Sequence, residues 1–307
     1  MRHRQLEHFQ AVVEEGSFTR AAEKLRVAQP SLSSSVAALE KEIGGALLER
    51  LPRGLRLTPA GRAFLFEARA ALAATERAQR AARAVLHGEA GRLQVGTVLS
   101  LAVGVLPPAI RLWQQQHGEA SLVLTEHHDG ALLEDALLGG TGDLAVGPRP
   151  VHPFAEQVLL GLEEFVVVLP EGDPLLATTG RLDVAELADR PWVLFSPEHG
   201  LSRIVDAICS NAGFQPRGAV HTRQTDAAVR LAVAGMGPAV VPGNVIPPGM
   251  RVCMRPMAEP FLREIYAYSR TALDPLTQSF VDALRRGAAG LRPPPPPGGR
   301  PAGTVRP

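Results

Sequence analysis

The chain has 307 residues, 45% of them hydrophobic, and a formal net charge of +1. That length supports two domains and a connector, with enough apolar material for a sizeable core. No run of 18 uninterrupted apolar residues gives sign of a membrane span, and the polar, basic first residues lack an apolar signal-peptide core, so a cytoplasmic location is expected. The charge is uneven: residues 1–90 hold 14 Lys+Arg against 10 Asp+Glu, a balance of +4, and the remainder holds 18 against 21. A basic front half on a near-neutral remainder fits an electrostatic footprint for nucleic acid.

Leu6, Phe9, Val12 and Val13 recur at helical spacing and give a first helix one apolar face. Gly16 stops it, and Ser17 suits the N-cap of a second helix from Phe18 to Leu25, with Ala21, Ala22 and Leu25 inward. A tight turn at Arg26–Val27–Ala28 leads into a third helix from Gln29–Pro30, where proline is tolerated because its missing N–H has no intrahelical role. Leu32, Val36, Leu39 and Ile43 form the buried stripe of that helix. Gln29, Ser31, Ser34 and Ser35 are left near its exposed N-terminal half, where a recognition helix meets base edges. From Arg50 to Thr58, two short apolar and basic runs flank Arg53–Gly54, a hairpin wing whose Arg50, Arg53 and Arg56 reach phosphates or a minor groove. Thr58 caps the next helix and Pro59 takes its first position. The pattern is a winged helix–turn–helix, and it assigns double-stranded DNA as a partner.

From Pro59 to about Leu86 the chain is alanine-rich, with Phe64, Ala68, Ala71, Leu72, Thr75, Ala78, Ala82 and Val85 on one stripe. At ~1.5 Å per residue the helix spans roughly 40 Å. So narrow a seam is expected to pair with its twin, and a dimer would set two recognition helices on a palindromic operator. His87–Gly88–Glu89–Ala90–Gly91 ends the helix. Strands and helices then alternate: strands at 92–97, 120–125, 143–147, 165–169, 192–195, 239–242 and 265–268, and helices at 105–116, 130–138, 202–212 and 225–234. That alternation argues an α/β sheet. The Pro/Gly-rich stretch 291–307 is expected to be a disordered tail.

The first sixty residues resemble the DNA-binding domain of LysR-type transcriptional regulators. The resemblance rests on Phe9, Glu14–Glu15–Gly16–Ser17–Phe18–Thr19–Arg20–Ala21–Ala22, Gln29–Pro30–Ser31–Leu32–Ser33, Leu48–Glu49–Arg50 and Leu57–Thr58–Pro59–Ala60–Gly61, all in register. Two positions depart from it. Ala28 stands where the family has a capping Ser or Thr, a change costing on the order of 1 kcal/mol of helix stability, and Ser34 stands where it commonly has Arg. The remainder resembles the family's effector domain, itself similar to periplasmic solute-binding proteins, through Leu93–Gln94–Val95–Gly96, Gly142–Asp143–Leu144–Ala145–Val146, Phe165–Val166–Val167–Val168–Leu169–Pro170, Ala212–Gly213–Phe214 and Ala234–Gly235–Met236–Gly237–Pro238.

The resemblance implies a winged helix–turn–helix at 1–60, a dimerising linker helix at 59–90 and an α/β two-lobed effector domain at 91–290. Lobe I would hold 91–161 and 266–290, and lobe II 162–265. It implies a homodimer or homotetramer, a small-molecule effector such as a carboxylate, RNA polymerase as a further partner, and no resident cofactor. The expected DNA contacts are Ser17, Thr19, Arg20, Gln29, Pro30, Ser31, Ser33, Ser34, Ser35, Arg50, Arg53 and Arg56. Open α/β sheets bind ligands at the carboxyl ends of strands. This places the effector near Thr97 and Ser100 after the first strand, His128 after the second, Gly147 after the third, Phe195 and Ser196 at the lobe crossover, and Thr225 at a helix start. Thr97, Ser100 and Thr225 also read as ordinary helix caps, and Phe195 as core. Arg149 and Arg223 either pair an acidic ligand or form surface salt bridges.

Two rival classes are weaker. No HExxH, GxSxG or CxxC stands in the sequence, which leaves an enzyme without a chemical signature, and adjacent His127 and His128 point to opposite faces of a strand. A periplasmic-type solute-binding protein without enzymatic activity accounts for the second half and leaves the first unexplained. Cys209 and Cys253 are too few for a disulfide framework; they read as buried small hydrophobes or as a redox pair.

Overall fold

The computed structural model describes residues 1–51, 54–87, 91–288 and 290–293. Two compact units divide the chain, one built on Met1–Glu89 and one on Ala90–Leu137 with Gly142–Pro307.

The first unit opens with α1 (His3–Glu15), α2 (Phe18–Leu25) and α3 (Gln29–Ile43). Gly16 ends α1, and the Ser17 hydroxyl accepts the Arg20 N–H to cap α2. Phe9, Val12, Ala21, Ala22, Leu32, Val36 and Leu39 form one core, and the methyl-sized Ala21 and Ala22 let α2 pack closely. The Ala28 N-cap of α3 makes no side-chain bond, as its missing hydroxyl requires. Ile43, expected in the stripe, is 44% exposed because the last turn of α3 extends beyond the three-helix core. A hairpin follows, β1 (Leu48–Leu51) against β2 (Gly54–Leu57), in the register Glu49 opposite Arg56. The Arg53 turn lies outside the described residues.

Glu40 of α3 locks the wing down: its carboxylate accepts the N–H groups of Leu47 and Leu48 at 2.8 and 3.0 Å. Thr58 caps α4 (Pro59–His87) by accepting the Gly61 N–H at 2.9 Å while donating to the Ala46 carbonyl at 2.8 Å. Gly61 sits so close to the chain before the wing that a Cβ there would collide with the Leu47 carbonyl. The first four turns of α4 pack on α1 through Phe64, Leu65, Ala68, Leu72 and Leu6. Leu65 was not in the expected stripe, and Ala71, Thr75 and Ala78 of that stripe are exposed, because α1 covers only the start of α4. The expected helix end at 88–90 lies outside the described residues, as do residues 294–307 of the expected tail.

The second unit is an α/β structure of two lobes. Lobe I has parallel β3 (Arg92–Val98), β4 (Ser121–His127) and β5 (Leu144–Pro148), with α5 (Leu99–Gly104), α6 (Leu106–Gln116) and α7 (Gly130–Leu138). The sequence signals only the second of the two helices after β3: a break at Val105 separates the short α5. Then β6 runs from Glu156 to Val168, nine residues longer at its start than its all-apolar core suggested. Lobe II holds β7 (Pro191–Phe195), α8 (Gly200–Asn211), β8 (Arg217–Thr222), α9 (Thr225–Leu231), β9 (Ala239–Pro242) and β10 (Met254–Pro256). Returning strand β11 (Leu262–Ser269) and α10 (Pro275–Gly287) complete lobe I.

Strands β6 and β11 join the lobes. Residues 156–164 of β6 pair with β11, and from Phe165 onward β6 pairs with β9 and β10 instead. Each lobe has its own core, one around Trp113, Phe280 and Leu144, the other around Phe165, Trp192 and Val240. Phe195 and Ser196 are therefore not at the crossover: Phe195 ends β7 and Ser196 follows it, within lobe II. Gly237 has φ +118, and a Cβ there would strike the Pro191 carbonyl at the start of β7. Gly237→Ala is expected to destabilise lobe II by about 3 kcal/mol, read as an earlier denaturant midpoint in tryptophan fluorescence, since Trp192 adjoins the clash. A change below about 0.5 kcal/mol, ordinary for a surface site, would contradict this packing.

Candidate functional site

In the first unit, α3 presents its N-terminal half to solvent. Gln29, Pro30, Ser31 and Ser34 are exposed, and Ser33 and Ser35 are half-buried. Thr19 and Arg20 of α2 flank them and are exposed. Several expected contacts already have partners inside the protein. Ser17 is spent on capping α2. The Arg20 guanidinium donates to the Glu15 carbonyl, with Nε at 3.1 Å. Arg56 pairs with Glu49 across the hairpin at 2.7 Å. Lys24, not anticipated, bridges Glu14 and Glu15 at 3.1 and 2.9 Å, and those hydrogen bonds, Glu15 first, raise its pKa. Exposed Arg26 adopts φ 55, the positive-φ non-glycine position among the described residues, and places a cation in the turn between α2 and α3. Arg53 lies outside the described residues, as does the Arg50 side chain.

In the second unit, the residues after the carboxyl end of β4 meet the start of α8. The Gly200 N–H donates to the His128 carbonyl at 3.0 Å, and Arg203 lies 3.5 Å from Asp129. His199 is the N-cap of α8, 4% exposed; its ring stacks on Phe195, with centroids 4.7 Å apart. Its Nδ1 accepts the Leu201 N–H at 3.1 Å, which puts the proton on Nε2, and Nε2 is buried without a protein partner among the described residues. Burial first, then the nearby His128 and Arg263, push the His199 pKa down to about 4, so the ring is a neutral hydrogen-bond donor at pH 7.

Arg263 of β11 faces Glu163 of β6. Its Nε donates to the wholly buried Glu163 carboxylate at 2.8 Å, and its Nη2 reaches the Ser100 hydroxyl at 3.3 Å. Asn244 of lobe II donates to the other Glu163 oxygen at 2.8 Å. Arg263 also lies over the Phe165 ring at 5.3 Å. With its oxygen accepting from Arg263, Ser100 keeps its own O–H to offer elsewhere.

The expected effector residues thus separate. Ser100, His128 and Phe195 gather around His199 and Arg263, neither of which the sequence reading selected. Thr225 is 3% exposed, and its hydroxyl has no protein partner among the described residues. Thr97 turns inward, donating to the Val146 carbonyl at 2.8 Å. Gly147 adjoins the Tyr268 hydroxyl, itself without a hydrogen-bond partner among the described residues. The Ser196 N–H joins β8 at Thr222. Arg149 and Arg223 have acidic neighbours, Glu264 at 3.1 Å and Glu198 at 3.7 Å. Cys209 and Cys253 are buried free thiols, and burial pushes Cys209 up to about 12, which leaves no reactive thiolate there. His199 was within reach of the sequence, as the polar residue before a helix that follows a strand. Arg263 carried no local signal.

A winged helix–turn–helix followed by a two-lobed α/β sensor is the architecture of a transcriptional regulator with an effector-binding domain. Residues 3–62 match the family model for bacterial regulatory helix–turn–helix proteins of the lysR family, and residues 86–289 match the LysR substrate binding domain. The chain belongs to the LysR family of transcriptional regulators. It is 32% identical to the HTH-type transcriptional regulator ClcR of Pseudomonas putida over 80% of this chain and 84% of ClcR. It is 34% identical to the HTH-type transcriptional regulator BenM of Acinetobacter baylyi over 78% and 80%. The crystal structure of full-length CbnR complexed with its target DNA superposes with a TM-score of 0.67 at 28% identity, covering 94% of this chain and 100% of CbnR. No described helix is long and apolar enough to cross a membrane.

Two outcomes are expected. Since His199 titrates near 6.5 unfolded and about 4 folded, its contribution, up to about 3 kcal/mol, is complete above pH 6.5 and is lost as pH falls towards 4. Denaturant midpoints should fall across that window, and His199→Gln should flatten the slope; an equal slope in both proteins would contradict it. Arg263→Ala leaves a buried unpaired carboxylate and should cost about 3–5 kcal/mol, part of which Glu163→Gln restores in the double variant when urea titrations are compared.

Proposed function

We propose that this chain is a cytoplasmic, ligand-responsive transcription factor. Residues 1–60 read duplex DNA, the helix at 59–90 pairs protomers, and residues 91–290 sense a small metabolite between lobe I (91–161 and 266–290) and lobe II (162–265). Membership of the LysR family supports this, and so does the likeness to CbnR, solved on its target DNA. The observation that carries it is the exposed N-terminal half of α3 on a head whose wing is anchored by Glu40 and Thr58. Gln29, Pro30, Ser31, Ser33, Ser34 and Ser35 face the bases, with Thr19, Arg20 and the wing arginines on the backbone.

Ser100, Thr225 and the His199 Nε2–H are the donors proposed for the effector, beside the Arg263 cation; such a set suits an effector bearing a carboxylate. The ligand acts through its differential affinity for two lobe arrangements, which alters how protomers, in dimers or tetramers, present their heads to a palindromic operator and to RNA polymerase.

Fluorescence anisotropy on the gene's own upstream DNA tests the reading. Saturable binding that weakens steeply with salt is expected, and deletion of residues 1–62 should abolish it. A folded oligomer that fails to bind at low salt would overturn the proposal.

A further inference from the structure

A cavity of about 180 Å³ opens in lobe II between the first turns of α8 and the ends of β7 and β8. Leu194, Phe195 and Val205 make its apolar floor, with Phe195 and Val205 buried, and Ser202, Asp206 and His221 stand at its more exposed rim. All of its lining residues belong to lobe II. Ser100, His199, Thr225 and Arg263, the groups proposed for the effector, are not among them.

The sequence builds this cavity through an irregularity in β8. The register with β7 slips at Ala219, so that Trp192 stands opposite Gly218 and Val193 opposite Val220. In a regular strand residues 218 and 221 face opposite ways; the extra residue turns the His221 side chain to the side of Gly218. A Cβ on Gly218 would strike the His221 ring and press on Leu194. The glycine thus gives the imidazole room to lie beside Leu194 at the edge of the cavity.

The rim is unspent. The Ser202 hydroxyl, the Asp206 carboxylate and the His221 ring have no hydrogen bond or ion pair among the described residues. The cations on the adjoining turns are already matched, Arg203 to Asp129 at 3.5 Å and Arg223 to Glu198 at 3.7 Å. Asp206 is therefore a carboxylate without a counter-charge at the mouth of an apolar space. The volume sets the body of a ligand, since an apolar cavity of about 150 Å³ already takes up benzene. The rim sets its head. A carboxylate, a hydroxyl oxygen and the unprotonated nitrogen of a neutral imidazole all accept, and an ammonium has three donors and no acceptor.

We propose that this cavity is a second small-molecule site, which takes a primary organic ammonium carried on a benzene-sized apolar body. The ammonium bonds to Asp206, with Ser202 and His221 beside it, and the body lies over Leu194, Phe195 and Val205. Phe195, whose ring stacks on His199 at 4.7 Å, is the side chain this cavity shares with the effector site. Binding there does not depend on the DNA-reading function proposed above.

Isothermal titration calorimetry of the full-length chain tests this, with benzylammonium as the probe and benzyl alcohol as its uncharged counterpart. Benzylammonium should bind once per chain and at least about tenfold more tightly than benzyl alcohol, the margin of one charge-assisted hydrogen bond. Asp206→Asn should remove that margin and leave the two probes about equal; Asp206 is exposed, so this variant does not disturb the core. Ser202→Trp fills the cavity from its rim and should abolish the binding of both. Absence of saturable binding by benzylammonium overturns the proposal. So does equal binding of the two probes by the unaltered chain, and so does benzylammonium binding that survives either substitution unchanged, since it would then lie elsewhere on the molecule.

Discussion

The buried pair of Glu163 and Arg263 is the constraint on which the sensor depends. Glu163 sits two residues before Phe165, where β6 leaves β11 for β9 and β10 and the chain passes from one lobe to the other. A carboxylate out of contact with water costs several kcal/mol unless its oxygens are fully bonded. Here one oxygen takes Arg263 and the other takes Asn244 of lobe II, while Arg263 extends to Ser100 of lobe I. Lobe separation therefore cannot change without disturbing a charge that has no solvent to fall back on. Gly104 of α5 adds to this, since a Cβ there would collide with Asn244.

Around that centre the polar groups are arranged to be neutral and expectant. The Arg263 charge is balanced by Glu163, and His199 is held unprotonated by burial first, with Arg263 nearby adding to it. The Nε2–H of His199 and the hydroxyl of Thr225 are buried without partners among the described residues, a state that costs about 1–3 kcal/mol each. Under the function proposed above, a ligand that bonds to such groups gains energy that the free protein has forgone, by an amount that depends on the lobe arrangement. That difference is what a switch requires.

The head solves another problem. Its core is small, and its rigidity comes from backbone anchors: Glu40 on the two N–H groups before the wing, Thr58 on the Ala46 carbonyl, and Gly61 packed on the Leu47 carbonyl. Those anchors leave the outer surface of α3 free of structural duty. The small, uncharged side chains there, from Gln29 to Ala38, are then open to be chosen for what they meet on DNA.

The sequence by itself determined the head almost completely. Helix spacing, the Ser17 cap, Pro30, the Thr58–Pro59–Ala60–Gly61 run and the wing are local signals, readable because each depends on neighbours within a few residues. It also determined the α/β alternation of the sensor and the residues at its strand ends. Tertiary structure decided what those residues do. Thr97 turned inward to Val146 and Ser100 outward to Arg263, a choice made by strands and helices far apart in the chain. Ile43 was left exposed at the end of α3, outside the apolar core of the three helices. Glu163, Asn244 and Arg263 became one hydrogen-bonded cluster, with His199 nearby, only when β6 and β11 crossed between the lobes. A side chain's partner across 100 residues of sequence leaves no periodicity to read, whereas a helix cap three residues away does.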